Sequence, residues 1–598
     1  MAIYVNSVRD SFSKLGFTLV SDADLADVWH ELDGFNVRPV FFQYTRKGLV
    51  KVITIHDLQE CVYPERFENE EIEKRVAVYK GLESDPNIII VAISEFTKTQ
   101  IRKYYPNLKN KVVVVPHGIS HVQSFNTIWG ASRSTPIPEG SFGLVLAKGW
   151  SHKNLDEFVA AVIKQLDYLR QQKIGFIIIG DANLSEESAD LISDNAAQDV
   201  LSFTGFVDDE RRDKIMAAAA VVISASDYEG FGLVAYEAKK YGKKYVGFNL
   251  PVLTEIFTDE EVRKIAIGDF DDLVATASKE IVNFRLVSPT NRRWDDVAVD
   301  LIYTYWQGEL PKVSVVTASY NREKYLDRCL TSLYQQNYEN FEHVVVDGLS
   351  SDNSVSLFSK YGDSRLSLTS ERDKGIYDAF NKGALRAQGE LIAFLNTDDW
   401  YEPNFLRKSV AIHLSGNYSF TFGDIWFHNK SGVVTSIPGN HAYDRRPETN
   451  FVDFHHTTVL ARRELFEEIG LFPRFIKYPI KRELRITADY LWFLEVIKRG
   501  HRGIRIPHLV GHMELGGIST TQHEQAAIEG WCSAVNAHPL KLFTISYHWG
   551  KRLFRLKYLP TYSRRNFKYQ IAAALRNKYP LLYRGLRYVV RTYRKINR

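Results

Sequence analysis

Along the first half of the chain, short apolar runs alternate with longer stretches in which apolar positions recur every three or four residues. The runs are Val50–Ile55, 87–93 (NIIIVAI), 111–115 (KVVVV), 143–147, 174–179 and 221–224. Their β-branched content predicts strands. Residues 156–172 and 209–219 carry the helical period and predict helices between them. Strands alternating with helices predict parallel sheets joined by crossover helices, so the fold class is α/β. Ligands of such sheets bind at the carboxyl ends of the strands. Residues 291–306 predict a closing helix with Trp294, Val297, Val299 and Ile302 among its apolar positions, and 307–311 (QGELP) breaks it. A domain boundary is placed there.

The second half repeats the theme. Residues 312–321 (KVSVVTASYN) predict a strand running into a polar turn, and a helix follows through Leu326, Leu330 and Leu333. Residues 342–352 (EHVVVDGLSSD) predict a second strand with Asp347 at its end. Strand, helix, strand and a terminal acid form, in outline, a nucleotide-binding layout. In 369–401 (TSERDKGIYDAFNKGALRAQGELIAFLNTDDWY), Ala379, Ala384, Ala387 and nearby Leu385 give helical spacing, and 390–395 is a run of strand length. That run ends on Asn396, Thr397, Asp398 and Asp399. Two adjacent carboxylates at a strand end suit a hard divalent cation, which prefers oxygen ligands and is often shared with phosphates. An Asp pair also caps helices and closes turns.

Other stretches carry candidate chemistry. In 224–237 (SASDYEGFGLVAYE), Gly230 and Gly232 permit a tight turn and a close backbone approach to a ligand. The helix that starts near Leu233 has free N–H groups for an anion such as a pyrophosphate. Glu229 and Glu237 flank this turn, and Glu237 is placed to accept from a ribose diol; solvated glutamates around an ordinary strand–helix turn are the plainer alternative. Asp489, in 485–493 (RITADYLWF), opens an apolar helix. It reads either as a general base or as an N-terminal carboxylate favoured by the helix dipole. Adjacent His455 and His456 on a strand would point to opposite faces, which argues against joint metal ligation.

Composition changes the picture in one place. Apolar content of 45% and charged content of 25% are those of a globular protein, and 598 residues imply two to four domains. Three distant cysteines (Cys61, Cys329, Cys532) argue against a disulfide framework and a Cys-based zinc site, and fit a reducing cytosol. No signal peptide is expected from MAIYVNSVRD, and no run of bilayer-spanning length occurs. The net charge of +4, however, hides an asymmetry: residues 541–598 hold 16 Lys and Arg and no acid, which leaves the remainder at −12. Within this tail, Leu582, Leu586, Val589, Val590 and Tyr593 fall on one helical face and Arg584, Arg587, Arg591, Arg594 and Arg598 on the other. Such a helix suits an anionic membrane surface. Packing on the acidic body is a second reading. The basic–aromatic interleaving upstream admits single-stranded nucleic acid as a third, which is not expected.

These motifs carry two resemblances. Glu229 and Glu237, seven residues apart in between, resemble the EX7E motif of the retaining family 4 glycosyltransferases of GT-B fold. So do 55–57 (IHD), 92–97 (AISEFT), 115–118 (VPHG), Lys148 with 153–154 (KN), and 203–207 (FTGFV). The resemblance implies catalytic roles for Glu229, Glu237 and His56. It implies donor contacts from Lys148, Lys153, Gly230 and Gly232, and no metal in this part. Lys148 stands where the family has arginine, which keeps the charge and loses the bidentate fork. Few residues precede His56, so either a shortened acceptor lobe or an impaired unit is expected.

Residues 312–520 are similar to the inverting family 2 glycosyltransferases of GT-A fold, through TASYN, VVDGLSSD, SERDKGIYDAFNKG and LNTDDW. This resemblance implies that Ser319, Tyr320 and Asp347 line the base and ribose pocket, with Asp373 and Lys374 beside the nucleotide. Asp398 and Asp399 take the DXD role for Mn²⁺ or Mg²⁺, with Asp399 the direct ligand. Asp489 is then the general base, 516–519 (GGIS) the loop near the leaving diphosphate, and His455 or His456 faces the acceptor. The implied architecture is a GT-B-like double Rossmann unit (1–307, lobes about 1–130 and 131–307), a GT-A domain (312–540) and a basic helical tail (541–598). The implied protein is a two-site glycosyltransferase, peripheral on the cytoplasmic face of the membrane. It would extend a lipid-linked bacterial surface polysaccharide from nucleotide-sugar donors. Two rivals are a single-activity enzyme whose first unit is a scaffold, and a non-catalytic membrane adaptor.

Overall fold

Among the described residues, three parallel or partly parallel sheets carry the chain, two in a first unit and one in a second, and the second also holds the small antiparallel pair Phe475–Ile476 and Arg482–Glu483. The computed structural model describes residues 2–15, 17–20, 26–33, 37, 40–119, 141–147, 154–180, 184–287, 289, 292–416, 418–429, 432–437, 454–476, 482–514, 525, 529–530 and 532–533. The first unit takes in Met1–Ser13 and Thr18–Trp306; the second takes in Lys14–Phe17 and the chain from Gln307 onward.

In the first unit, Val28–Glu31, Val50–Ile55, Ile89–Ala92 and Val112–Val114 form one parallel sheet in that order. The last three of these strands are β-branched runs, which suits strands covered on both faces. The other sheet runs Val262–Ile265, Lys244–Phe248, Val221–Ser224, Phe142–Ala147, Gly175–Gly180, Leu201–Phe203, all parallel. Its earliest strand, Phe142–Ala147, is central. The chain builds outward to one edge, then returns and builds the other side. The order therefore reverses between Phe142–Ala147 and Val221–Ser224, which is where doubly wound sheets bind ligands. Glu229, Gly230 and Gly232 lie on the loop leaving the second of these strands. The helix Trp294–Tyr305 returns to the first lobe: Ile119 N–H donates to the Arg292 carbonyl at 2.8 Å, and Tyr305 OH meets His30 Nδ1 at 2.7 Å. The single helix expected over 156–172 is two, Leu155–Lys164 and Leu166–Gln172, parted at Gln165.

In the second unit, the strands Leu366–Ser370, Phe341–Asp347, Val313–Ser319 and Leu391–Phe394 lie side by side and parallel. The sheet continues through Leu460–Arg462, antiparallel to Leu391–Phe394. It then runs through Phe420–Asn429 and Gly503–Glu514 to the short Asp399–Tyr401. Register aligns Ser319 with Asp347 and Asp347 with Ser370, so three strand ends open on one edge. The helix Ile376–Arg386 buries Tyr377, Ala379, Phe380 and Ala384 beneath the sheet, while Leu385 is 73% exposed and takes no part in that face. Among the described residues, no helix is long and apolar enough to cross a membrane.

Candidate active sites

The second unit gathers its candidate residues at the carboxyl ends of its parallel strands. Asp347 is fully buried there. It accepts the Ser350 N–H at 2.9 Å, the Ser350 hydroxyl, and Ser370 Oγ at 2.7 Å. Beside it, the buried Ser319 hydroxyl has no hydrogen-bond partner among the described residues. The Tyr320 ring is exposed, and Tyr320 and Asp373 both pack on Gly348. Asp373 Oδ1 accepts the Gly375 N–H at 2.8 Å, and Asp378 accepts the Lys374 N–H at 3.0 Å, so the 373–375 turn is held from within. The Lys374 side chain is exposed.

Asp398 is half-buried; Asp399 is 1% exposed and begins the strand Asp399–Tyr401. Asp399 Oδ2 accepts Asn396 Nδ2 at 2.9 Å and Thr457 Oγ1 at 2.7 Å. Burial, with Asp398 adding to it, pushes the Asp399 carboxyl up to about 7. Among the described residues no three His, Cys, Asp or Glu side chains converge as a metal cage. A cation completed by substrate phosphates needs only one or two protein carboxylates, and Asp398 with Asp399 is such a set.

Asp489 opens the helix Ala488–Lys498. Its Oδ2 lies 2.8 Å from His456 Nδ1, and Tyr377 OH is 2.7 Å from both its Oδ1 and the Ile486 carbonyl. Burial works against the Asp489 charge, but His456 and Tyr377 outweigh it and hold the carboxyl below its ordinary range. The same pair acts on His456 in reverse: burial opposes the imidazolium, and Asp489, then Asp399 and Asp398, raise it. His456 Nε2 lies 3.1 Å from Asn396 Nδ2. An unbroken path therefore links Asp399, Asn396, His456 and Asp489. Immediately before Asp489, the fully buried Glu529 takes the N–H groups of Arg485, Ile486 and Thr487 at 3.0, 2.8 and 3.2 Å on one oxygen.

Sequence reasoning did not single out Asn396, Thr457, Tyr377 or Glu529, and it placed His455 and His456 together on a strand. His455 is extended and His456 starts the 3₁₀ turn His456–Thr458. The His455 ring lies 5.4 Å from Phe427, while His456 turns to Asp489. The Tyr in GIYDAFNKG was visible as part of the motif, but its reach to a residue more than a hundred positions away was not.

In the first unit, Gly232 adopts φ +75° and the helix Leu233–Lys240 begins directly after it. Glu237 is 5% exposed on that helix. Burial opposes the Arg212 cation, and Glu237 and Asp213 outweigh it. Glu229 lines a cavity of about 210 Å³ together with Tyr63, Phe96, Gln100, Lys103 and Asp227. His56 is brought to this loop: a Cβ on Gly230 would collide with the His56 carbonyl oxygen, so only glycine permits the approach. The His56 ring is itself engaged, Nε2 donating to the Leu32 carbonyl at 2.9 Å, and burial pushes its imidazole down. The Glu229 loop is tied to the first lobe by several contacts. Arg66 binds Asp227 through two bonds of 2.9 and 2.7 Å, Leu58 N–H donates to Tyr228 OH at 3.0 Å, and Ser94 Oγ donates to the Gly230 carbonyl at 2.6 Å. Lys148, Lys153, the 516–519 loop and the 541–598 tail lie outside the described residues.

Comparison with known proteins gives two family matches. Residues 134–283 match the model of "Glycosyl transferases group 1", and residues 314–470 match that of "Glycosyl transferase family 2". Among curated relatives, the protein named as glycosyltransferase EpsH of Bacillus subtilis is 38% identical over 104 residues, 17% of this chain and 30% of its own. The UDP-Glc:alpha-D-GlcNAc-diphosphoundecaprenol beta-1,3-glucosyltransferase WfgD of Escherichia coli is 36% identical over 123 residues, 20% of this chain and 49% of its own. The chain thus spans less than half the length of either relative. Among solved structures, residues 1–349 of S. aureus TarS in complex with UDP-GlcNAc align with a TM-score of 0.34 at 17% identity, over 45% of this chain and 81% of that one.

Proposed function

Because this chain is a glycosyltransferase by family, with a group 1 segment ahead of a family 2 segment, we propose that it carries two transfer sites working on one growing glycan. Residues 1–307 form a retaining unit of two lobes, about 1–130 and 131–307. Residues 312–540 form an inverting, metal-dependent unit, and 541–598 form a tail that holds the protein on the cytoplasmic face of an anionic membrane. The donors are nucleotide sugars. The acceptor is lipid-linked, the chemistry that the name of the E. coli relative gives for that protein. Two sites on one chain hand each product to the next site at high effective concentration, which suits a polymer with two alternating linkages.

The observation that carries the second site is the path from Asp399 through Asn396 and His456 to Asp489. Two hydrogen bonds and one imidazole ring separate Asn396, beside the aspartate pair, from an ionised carboxylate. Ser319, Asp347 and Asp373 receive the nucleoside at the adjoining strand ends. Asp398 and Asp399 would hold Mn²⁺ or Mg²⁺, which neutralises the leaving diphosphate as a Lewis acid. Asp489 takes the proton of the acceptor hydroxyl as the glycosidic bond forms. Tyr377 and His456 keep it charged for that role.

In the first unit, Glu229 and Glu237 flank the turn Gly230–Gly232 at the point where strand order reverses. A second reading is favoured by the ties on that loop: Arg66 on Asp227, Leu58 on Tyr228 and Ser94 on Gly230 hold it shut against the first lobe. In that reading the first unit binds glycan or acts as a scaffold, and only the second turns over.

The test is a panel of nucleotide-sugar donors with Mn²⁺ and a diphosphoundecaprenol-type acceptor, products read by mass, on wild type, Asp399→Ala and Glu237→Ala. Each substitution is expected to suppress a different sugar addition by about 10²-fold or more. If Glu237→Ala leaves every product unchanged, the first unit is a scaffold.

A further inference from the structure

Asp489 could have been an ordinary carboxylate at the start of a helix. Instead it sits in a cradle built from four separate parts of the chain. Glu529 fixes the three backbone N–H groups that precede it. Tyr377, from the helix Ile376–Arg386, reaches Oδ1. His456, from the 3₁₀ turn His456–Thr458, reaches Oδ2, and Asn396 holds the far side of the His456 ring. Asn396 Nδ2 has two hydrogens, and its neighbours at bonding distance are Asp399 Oδ2 and His456 Nε2. In either charge state Nδ1–H donates to the Asp489 carboxylate, which can only accept, and in the neutral imidazole Nε2 is then free to accept from Asn396 Nδ2. The ring is further pinned by Phe380, whose centroid is 6.1 Å away at a T-shaped angle.

We infer that His456 is a positioning residue of the second transfer site: through its Nδ1–H it aims the Asp489 carboxylate. This rests on Asp489 acting as the proton acceptor proposed above. His456 touches neither donor nor acceptor in this assignment. Its effect is on the approach of the base to the acceptor hydroxyl, so it belongs to kcat and not to donor binding. A carboxylate free to rotate would still be charged, but only a fraction of its orientations would meet the attacking oxygen.

The two ring nitrogens can be tested separately. Asparagine at 456 offers an N–H near the position of Nδ1 and cannot reach Asn396. Glutamine offers one near the position of Nε2 and cannot serve Asp489. The experiment takes the full chain as His456→Ala, His456→Asn and His456→Gln. It measures calorimetric binding of UDP with Mn²⁺, together with kcat and donor KM for the transfer found in the donor panel. His456→Ala and His456→Gln are expected to lose at least tenfold in kcat. His456→Asn is expected to stay within about threefold of wild type. UDP binding and donor KM should stay within twofold throughout. Equal kcat in His456→Ala and wild type overturns the assignment. So does rescue by glutamine and not asparagine, and so does a parallel loss of UDP binding in all three variants, which marks a merely structural histidine. A wild type that binds UDP with Mn²⁺ and transfers from no donor overturns the parent reading of Asp489, and this one with it.

Discussion

His343 shows what a single residue can hide. It sits fully buried in Phe341–Asp347, 3.0 Å from Thr317 Oγ1 and 3.2 Å from Tyr334 OH, and burial pushes its imidazole down to about 3. The folded chain keeps it neutral, while the unfolded chain protonates it near 6.5. The folded state therefore binds fewer protons below that value. The stability His343 supports is complete above pH 6.5 and is lost as pH falls from there toward 3, at about 1.4 kcal/mol per pH unit for one proton. His413, pushed down by burial to about 4, acts in the same sense. His343→Gln should keep part of the hydrogen bonding and remove the titration. Denaturant unfolding of the second unit, followed from pH 6.5 to 4.5, is expected to show a slope shallower by one proton than wild type. An unchanged slope would mean that His343 takes up its proton in the folded state. In the sequence, EHVVVD shows a polar residue inside a strand and says nothing of its burial. His456 was likewise legible as an imidazole but not as a partner of Asp489, because that pairing depends on how distant loops meet.

Elements were legible where physics leaves one option. Strands buried on both faces read as apolar or β-branched runs, and Val50–Ile55, Val221–Ser224 and the valines before Asp347 stood out for that reason. The far half of the second sheet did not. Phe420–Asn429 mixes Gly423 and Asp424 into its run, and Gly503–Glu514 holds Arg505, Pro507 and two histidines. Arg505 and Asp424 pair across these two strands through bonds of 2.8 and 2.6 Å, a polar contact that breaks the apolar pattern. The break at Gln165 was invisible because Phe158, Val162, Leu166 and Leu169 keep one helical period across it, all buried. The helix Ile376–Arg386 offers a test at this scale. Gly383 lies against the strand Val313–Ser319, where an added Cβ would run into Val316 Cγ1, itself fully buried. Gly383→Ala gains about 1 kcal/mol in helix propensity and loses about 1–3 kcal/mol to overpacking, so a net loss is expected. Val316→Ala removes the obstructing methyl groups. The double variant should be more stable than the sum of the two single losses by about 1 kcal/mol, measured as shifts in the denaturant midpoint of the second unit. Strict additivity would mean that the helix moves aside at no cost and that the glycine is dispensable.

At the scale of the whole molecule the uneven charge sets the remaining question. Residues 541–598 carry sixteen cations and no acid, while the rest of the chain has a net charge of −12. The proposed reading is that the tail is held by something more negative than that body; packing on the body is the alternative to be tested. Attraction to a diffuse body charge is screened within about 8 Å at physiological salt. An anionic bilayer offers a continuous surface, worth about 1 kcal/mol for each Lys or Arg that reaches it. On the helix expected from the sequence, Leu582, Leu586, Val589, Val590 and Tyr593 would share an apolar face and add burial that a hydrated acidic surface cannot match. A lipid-linked acceptor would also be presented at that surface, so attachment would turn a search in three dimensions into one in two. The full chain is therefore expected to sediment with vesicles containing phosphatidylglycerol at low salt, to be released in large part by 0.5 M NaCl, and to ignore pure phosphatidylcholine. A chain lacking 541–598 should stay in solution under all three conditions. Equal binding by the shortened chain would move the membrane contact into the body. No binding by the full chain, combined with a lower melting temperature on removal of the tail, would show that the basic segment is spent on the acidic body. In that case the proposed transfer sites would meet their acceptor without an electrostatic anchor.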